Sequence, residues 1–187
     1  MKYFFYSYAW IMGNLHKRFP KFGLFQQTSS TSIITFDKSN NCVTKKVMLY
    51  EKHNVVKNEA YWLIKLSGFS GTPELISVEN NCLTMTYAGK RVCTDNLPVD
   101  WELQMTDILL KLSEIKCSHN DIKPTDILVL NKKLMLIDFQ WATEKGSSMP
   151  AGWPNYIGRT FKKSDKTYDD QFSFRKSIQW IIGNKTL

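Results

Sequence analysis

The chain has 187 residues, 43% of them hydrophobic and 22% charged, which is typical of a folded domain and excludes long disorder. Lysine and arginine outnumber aspartate and glutamate by 25 to 17, and the net charge of +8 favours anionic partners. The four cysteines lack CxxC or Cys/His metal spacing, which excludes a disulfide scaffold and a common zinc finger. We therefore expect free thiols in a reducing, cytoplasmic compartment.

An aromatic-rich run, Tyr3 to Met12, lies near the N-terminus. This run is far too short to span a bilayer, and Ser7 interrupts it. No small-residue cleavage site follows, so a secretory signal is not favoured. We expect a strand or short helix packed on the domain, and no membrane span.

The first half of the chain predicts a β-rich unit with one main helix. Apolar runs separated by polar turns predict strands at 22–26, 32–36, 42–49, 74–78 and 82–87. The helix is predicted between the third and fourth strands, and Gly68 is its expected end. Its apolar face is expected to hold Val56, Ala60, Leu63 and Ile64.

The second half predicts more helix, and the connector Ala88 to Lys90 separates the two halves. An amphipathic helix follows the connector. Its apolar stripe is expected to hold Trp101, Met105, Ile108, Leu109 and Leu112. A polar loop and a hairpin come next, and a last helix is predicted from about Asp170 to Ile182.

The predicted hairpin brings two carboxylates together. Its apolar strands, 127–130 and 134–137, flank an Asn-Lys-Lys turn. Asp126 directly precedes the first strand and Asp138 directly follows the second. Because a hairpin folds its two ends beside each other, we expect both side chains at one edge.

Asp121 and Lys123 lie on the loop just before this hairpin. Three carboxylates and an ammonium group would then meet at one loop edge. Magnesium prefers oxygen ligands, and a separate carboxylate can orient an attacking hydroxyl group. The arrangement therefore predicts magnesium-assisted phosphoryl transfer.

The same residues resemble motifs of the protein-kinase superfamily. His119-Asn-Asp-Ile-Lys-Pro-Thr-Asp126 resembles the catalytic loop H-R-D-L-K-P-x-N, and Asp138-Phe-Gln140 resembles D-F-G. The resemblance extends in the expected order to the nucleotide-lysine strand at 42–49, the hinge strand at 83–89 and a helix start at 170–174.

The resemblance implies an α+β, two-lobed protein-kinase-like fold. Residues 1–86 would form a β-rich N-lobe with one main helix, and residues 87–187 a reduced, C-terminally truncated α-helical C-lobe. It also implies ATP and Mg²⁺ as cofactors. Because Lys123 stands two residues after Asp121, the resemblance favours a Ser/Thr protein kinase over kinases of small molecules.

The resemblance implies a role for each matching residue. Asp121 would accept the proton of the substrate hydroxyl, and Lys123 would stabilise the transferring phosphoryl group. Asp126 and Asp138 would ligate magnesium. His119 is expected to anchor the backbone of the loop rather than to act as a catalyst.

Nucleotide binding is expected to depend on Lys45, with Glu59 positioning its ammonium group. Lys46 is the alternative nucleotide lysine, because adjacent residues of a strand point to opposite faces. Further nucleotide contacts are implied at Thr28, Ser29, Ser30, Ile33, Met85 and Tyr87.

Three departures from the kinase pattern stand beside this resemblance. The three positions of the glycine-rich loop hold Gln26, Thr28 and Thr31, which adopt positive φ less freely than glycine. Asp126 replaces the metal-binding asparagine, and Gln140 replaces the glycine of D-F-G.

These features predict an ATP-dependent phosphotransferase of Ser/Thr protein-kinase-like character. A pseudokinase or binding module without turnover is the alternative, as is a kinase for a small-molecule or carbohydrate hydroxyl. A protein hydroxyl is the expected acceptor. The basic C-terminal segment is a candidate surface for an acidic partner, and nucleic acid ranks last. That segment contains Arg159, Lys162, Lys163, Lys166, Arg175, Lys176 and Lys185.

Overall fold

The computed structural model describes residues 24–28 (backbone), 32–48, 54–147 and 169–183. Five strands form one antiparallel sheet in the order β1-β2-β3-β5-β4. They are β1 Leu24–Thr28, β2 Ser32–Asp37, β3 Cys42–Val47, β4 Leu75–Glu79 and β5 Cys82–Thr86. All five predicted strands are confirmed to within two residues, the largest displacement being that of β1. The aromatic run 3–12 lies outside the described residues.

The turn between β2 and β3 is fixed by its own side chains. The Asp37 carboxylate accepts hydrogen bonds from the backbone N–H groups of Ser39 and Asn40, at 3.0 and 3.2 Å. Asn41 then adopts a positive φ of 49°, a conformation that asparagine tolerates. These local bonds set the register in which β3 presents its side chains to the rest of the molecule.

Helix α1, Val55–Lys65, lies between β3 and β4 in the chain, as predicted. Its buried residues are Val55, Val56, Glu59, Ala60, Trp62 and Leu63. Ile64 was predicted on this face but is 63% exposed. Trp62 and Leu63 occupy the buried positions of the last turn, which leaves Ile64 on the solvent side.

The remaining elements are short strands and two longer helices. In chain order they are β6 Lys90–Arg91, α2 Trp101–Glu114, β7 Cys117–Ser118, β8 Ile127–Leu130, β9 Lys133–Leu136, β10 Thr143–Glu144 and α3 Asp170–Gly183. Strands β6, β8 and β9 form a second antiparallel sheet, and β10 pairs with β7. Two 3₁₀ turns, Pro124–Asp126 and Phe139–Trp141, flank the β8–β9 hairpin.

One apolar core connects the elements of both halves. It runs from Val47 and Leu63 through Ile108 and Phe139 to Phe174. The described part of the chain is therefore a mixed α+β structure with three α-helices and antiparallel sheets. No helix within it combines the length and hydrophobicity that a membrane crossing needs.

Gly89 lies at the connector between the halves, where no larger residue fits. Its φ is +100°, and a Cβ atom there would collide with the backbone carbonyl of Val129. This close approach lets β6 pair with β8, with Lys90 opposite Val129. The connector thereby ties the five-stranded sheet to the hairpin that carries Asp126 and Asp138.

Candidate functional site

Lys45 lies at the centre of a buried group of charges. Strand β3 alternates its side chains, so Lys45 is buried at 7% exposure while Lys46 points to solvent. The Lys45 Nζ donates to Glu59 Oε2 at 2.7 Å and to Asp138 Oδ1 at 2.6 Å. Of the two lysines that the sequence left open, Lys45 is the one that faces the predicted site.

Sheet register places Ile33, one of the predicted nucleotide contacts, apart from Lys45. Ile33 pairs with Lys46, whereas Ile34 pairs with Lys45. Directly opposed residues of antiparallel strands share a face, so Ile33 lies on the face away from Lys45. Ile34 is therefore the β2 residue on the site's face. A shift of one residue along a strand exchanges its two faces, so the position within β2 decides which isoleucine faces Lys45.

Met85 and Tyr87, two other predicted nucleotide contacts, lie near the face of the sheet that holds Lys45. Met85 pairs with Val43 in the register that also pairs Leu83 with Lys45, and it is buried. The Tyr87 ring makes an edge-on contact with Phe36, with centroids 6.2 Å apart.

Not all of the predicted phosphate loop is within the described residues. Thr28 ends β1 and pairs with Ile33. Ser29 and Ser30 lie outside the described residues, so their predicted contacts with phosphate stay predictions.

Lys123 lies at the centre of a second group of charges, which adjoins the group around Lys45. Its Nζ lies 2.8 Å from Asp121 Oδ2, 2.9 Å from Asp126 Oδ2 and 3.8 Å from Asp138 Oδ2. The hairpin ends do meet, because the Ile137 N–H donates to the Asp126 carbonyl at 3.0 Å. The structure thus brings together all six charged residues selected from the sequence: Lys45, Glu59, Asp121, Lys123, Asp126 and Asp138.

Burial and neighbouring charges oppose each other throughout this group. Burial alone would lower the pKa of Lys45, but Asp138 and Glu59 outweigh it and hold that pKa above its ordinary value. Burial would raise the pKa of Asp138, yet Lys45 and Lys123 keep it below its usual range. For Asp126, burial prevails over Lys123 and raises the pKa to about 8.

The loop that carries Asp121 is anchored from two sides. His119 is fully buried, its Nε2 lies 3.0 Å from the Ile137 carbonyl, and its ring packs edge-on against Phe139. The Asp170 carboxylate accepts hydrogen bonds from the backbone N–H groups of His119 and Asn120, at 2.8 and 3.1 Å. His119 therefore anchors the backbone, as expected from the sequence.

The charge balance of the group fits a divalent cation. Four carboxylates face two ammonium groups, which leaves an excess of two negative charges when all are ionised and of one while Asp126, with its raised pKa, keeps its proton. No cluster of three or more metal-binding side chains occurs in the described parts of the chain. Magnesium, however, commonly binds one or two carboxylates together with substrate phosphates. Asp126 and Asp138 are the two carboxylates predicted for that role, and in this structure both form ion pairs with lysines.

Three further residues, which the sequence did not single out for the site, contact it closely. Asn58 and Trp62 on α1, and Asn120 beside Asp121, all donate side-chain hydrogen bonds to the backbone after Asp138. Trp62 is buried at 2% exposure, and its four-residue spacing from Asn58 was the available signal for a shared helix face.

The chain matches none of the protein-family models with which it was compared, and no curated protein matches its sequence. The geometry above is therefore the basis for assigning a function.

Proposed function

We propose that this protein is an ATP-dependent phosphotransferase with a two-lobed, protein-kinase-like fold. The observation that carries the proposal is the Lys45 ammonium held between Glu59 and Asp138, next to Asp121, Lys123 and Asp126. These residues come from β3, α1, the loop after β7 and both ends of the β8–β9 hairpin. A surface ion pair would not need five separate segments to converge.

In this proposal each side chain has a distinct task. Lys45 binds phosphate oxygens of the nucleotide, and Glu59 keeps its ammonium group in place. Asp121 accepts the proton of the attacking hydroxyl, and Lys123 stabilises negative charge on the transferring group. Asp126 and Asp138 hold Mg²⁺, which neutralises phosphate charge when bound.

Turnover of ATP tests the proposal directly. ADP production by the purified chain is measured with ATP, Mg²⁺ and dephosphorylated casein as the acceptor. Removing a positioned acid or base typically costs a factor of about 10² to 10⁴, so Asp121→Ala and Asp138→Ala should each lower the rate at least about 100-fold. Asp107→Asn, an exposed carboxylate on α2, is the matched control and should retain the rate. Full turnover in either alanine variant would refute the proposal.

A nucleotide-binding module without turnover is the second candidate. It is favoured by Lys123, which bridges Asp121 and Asp126, and by the buried Gln140 where kinases have glycine. Thermal unfolding with ATP, with and without Mg²⁺, separates the two candidates. A shift that does not need Mg²⁺, combined with no ADP production, would favour the binding module.

The acceptor and the partners remain part of the proposal. A protein hydroxyl is the expected acceptor, and the alternative of a small-molecule or carbohydrate hydroxyl stays open. In the basic C-terminal segment the structure describes two cations, and Arg175 lies 3.7 Å from Glu102. An acidic partner at this segment and a reducing, cytoplasmic location stay predictions.

A further inference from the structure

The backbone after Asp138 is buried, and its carbonyl groups accept hydrogen bonds from side chains. Gln140, Trp141 and Ala142 are all at most 5% exposed. The chain leaves a 3₁₀ turn at Trp141 and enters β10 at Thr143, so regular structure does not provide donors for all of these carbonyls. A buried carbonyl without a partner costs roughly 1–3 kcal/mol, so donors must come from elsewhere. We name residues Gln140–Thr143 the clasp segment.

Helix α1 supplies the donors on one side of the clasp segment. Asn58 Nδ2 donates to the Gln140 carbonyl at 3.1 Å and to the Ala142 carbonyl at 2.9 Å. Trp62 Nε1 donates to the Ala142 carbonyl at 3.1 Å. Asn58 directly precedes Glu59, so the helix face that holds the clasp segment adjoins the carboxylate that holds Lys45.

The catalytic loop supplies the donor on the other side. Asn120 Nδ2 donates to the Trp141 carbonyl and to the Thr143 hydroxyl, both at 2.9 Å. Asn120 directly precedes Asp121. The φ of Asn120 is 69°, a left-handed conformation that asparagine tolerates better than most residues. Asparagine therefore suits both this backbone conformation and the role of side-chain donor.

Asp138, just before the clasp segment, also adopts a positive φ, of 73°. Such a conformation costs of order 1–3 kcal/mol and persists only where surrounding contacts enforce it. The hydrogen bonds to the clasp segment and the Lys45 ion pair are those contacts.

We propose that Asn58, Trp62 and Asn120 are positioning residues, which hold Asp138, Glu59 and Asp121 in one arrangement through the clasp segment. The proposal rests on the proposed function for its activity measurement only. The two asparagines bind the clasp segment from opposite sides, and each is the chain neighbour of a charged site residue. Release of either side frees the segment, so both sides act as one unit.

A double-mutant cycle tests this coupling. Asn58→Ala removes two of the three hydrogen bonds from α1 and leaves that of Trp62, and Asn120→Gly removes the donor on the loop while keeping positive φ accessible. Each single variant should lower kcat for ADP production at least about tenfold, and the double variant less than about threefold further. If the loss of kcat in the double variant equals the product of the two single losses, the two asparagines act independently and the proposal is overturned. Lys57→Ala, the exposed neighbour on α1, is the control and should not change kcat.

Hydrogen exchange provides a readout that does not need turnover. In Asn120→Gly, amides of β3 and of α1 around Glu59 should exchange faster, although Asn120 donates to neither element. Faster exchange confined to 139–147 would overturn the proposal. If the unmodified protein makes no ADP, the proposed function fails while exchange still decides this inference. If Asn58→Ala does not fold, Trp62→Phe keeps a ring and removes only the donor, and it should speed exchange in β3 as well.

Discussion

Lys45 and Lys123 are two ammonium groups that share one carboxylate, Asp138, yet they are held in different ways. The Lys45 side chain is 9% exposed, and its partners are 14 and 93 residues away in the chain. The Lys123 side chain is 36% exposed, and its two shortest ion pairs are with residues two and three positions away. One lysine depends on the tertiary fold, and the other on a local loop.

This difference indicates which lysine is fixed and which can move. Lys45 cannot leave its partners without stranding the buried Glu59 carboxylate, and Asp138 would keep only Lys123, at 3.8 Å, which is strongly unfavourable. Lys123 is partly solvated, and its buried partner Asp126 can take up a proton because burial raises its pKa to about 8, so these ion pairs can be exchanged at smaller cost. We therefore expect Lys45 to stabilise the folded chain, and Lys123 to contribute mainly to chemistry.

The largest effect is expected from Lys45→Met. It leaves Glu59 buried without its cation and Asp138 with Lys123 alone, which should lower the free energy of unfolding by about 3–5 kcal/mol. Urea denaturation measures this change. Lys46→Met is the matched control on the solvent face and should alter stability by less than about 0.5 kcal/mol. Equal effects of the two variants would contradict the buried role of Lys45.

Removing a carboxylate as well should recover part of that loss. In the Lys45→Met background, Glu59→Gln replaces an unpaired buried charge with a neutral amide of similar shape. We expect the double variant to be more stable than Lys45→Met alone, by about 1 kcal/mol or more. The same urea titrations give the comparison, and strictly additive losses would show that the pair does not interact.

Lys123→Met should change the free energy of unfolding little while it lowers activity strongly. Because the side chain is partly solvated, unfolding free energy should fall by under about 1 kcal/mol, while ADP production falls about 100-fold. Lys90→Met, an exposed lysine on β6, is the control for both measurements. A stability loss as large as that of Lys45→Met would remove the proposed distinction between the two lysines.

The smallest effect concerns pH. Burial, which outweighs the charge of Asp170, keeps the pKa of His119 below its ordinary value of 6.5. Below pH 6.5 the unfolded chain therefore binds a proton that the folded chain does not, and stability falls as pH decreases. One such proton contributes at most about 1.4 kcal/mol per pH unit. Urea titrations between pH 7 and 5 should show that the unfolding free energy of His119→Gln depends less on pH than that of the unmodified protein. An equal pH dependence in the two proteins would contradict the lowered pKa of His119.

Much of the fold was predictable because its signals are local. The strands, the hairpin turn and the stripe on α2 each depend on neighbours in sequence, and the structure has them, although the turn is shorter than predicted because Lys133 already belongs to β9. The paired strands β7 and β10 were not predicted. At two residues each they have no periodicity, and only their tertiary pairing, Cys117 with Glu144 and Ser118 with Thr143, defines them.

The charged residues of the site were predictable, whereas the neutral residues that support it through hydrogen bonds were not. Four of the six charged residues were selected from the hairpin and its loop, and Lys45 and Glu59 from the resemblance to protein kinases. Asn58 and Asn120 were not selected for the site, because an amide that donates to a distant backbone carbonyl leaves no pattern in the sequence. Only Ile33 was predicted on β2; that Ile34 shares the face of Lys45 follows from the register with β3, which a single sequence does not provide.

A crystal structure with a non-hydrolysable ATP analogue and Mg²⁺ tests the central claim most directly. The account predicts the metal bound to Asp126 and Asp138, the Lys45 ammonium on the nucleotide phosphates, and Lys123 no longer bridging Asp121 and Asp126. A nucleotide bound elsewhere, or a complex in which Lys123 still bridges those two carboxylates and no metal reaches Asp138, would contradict it.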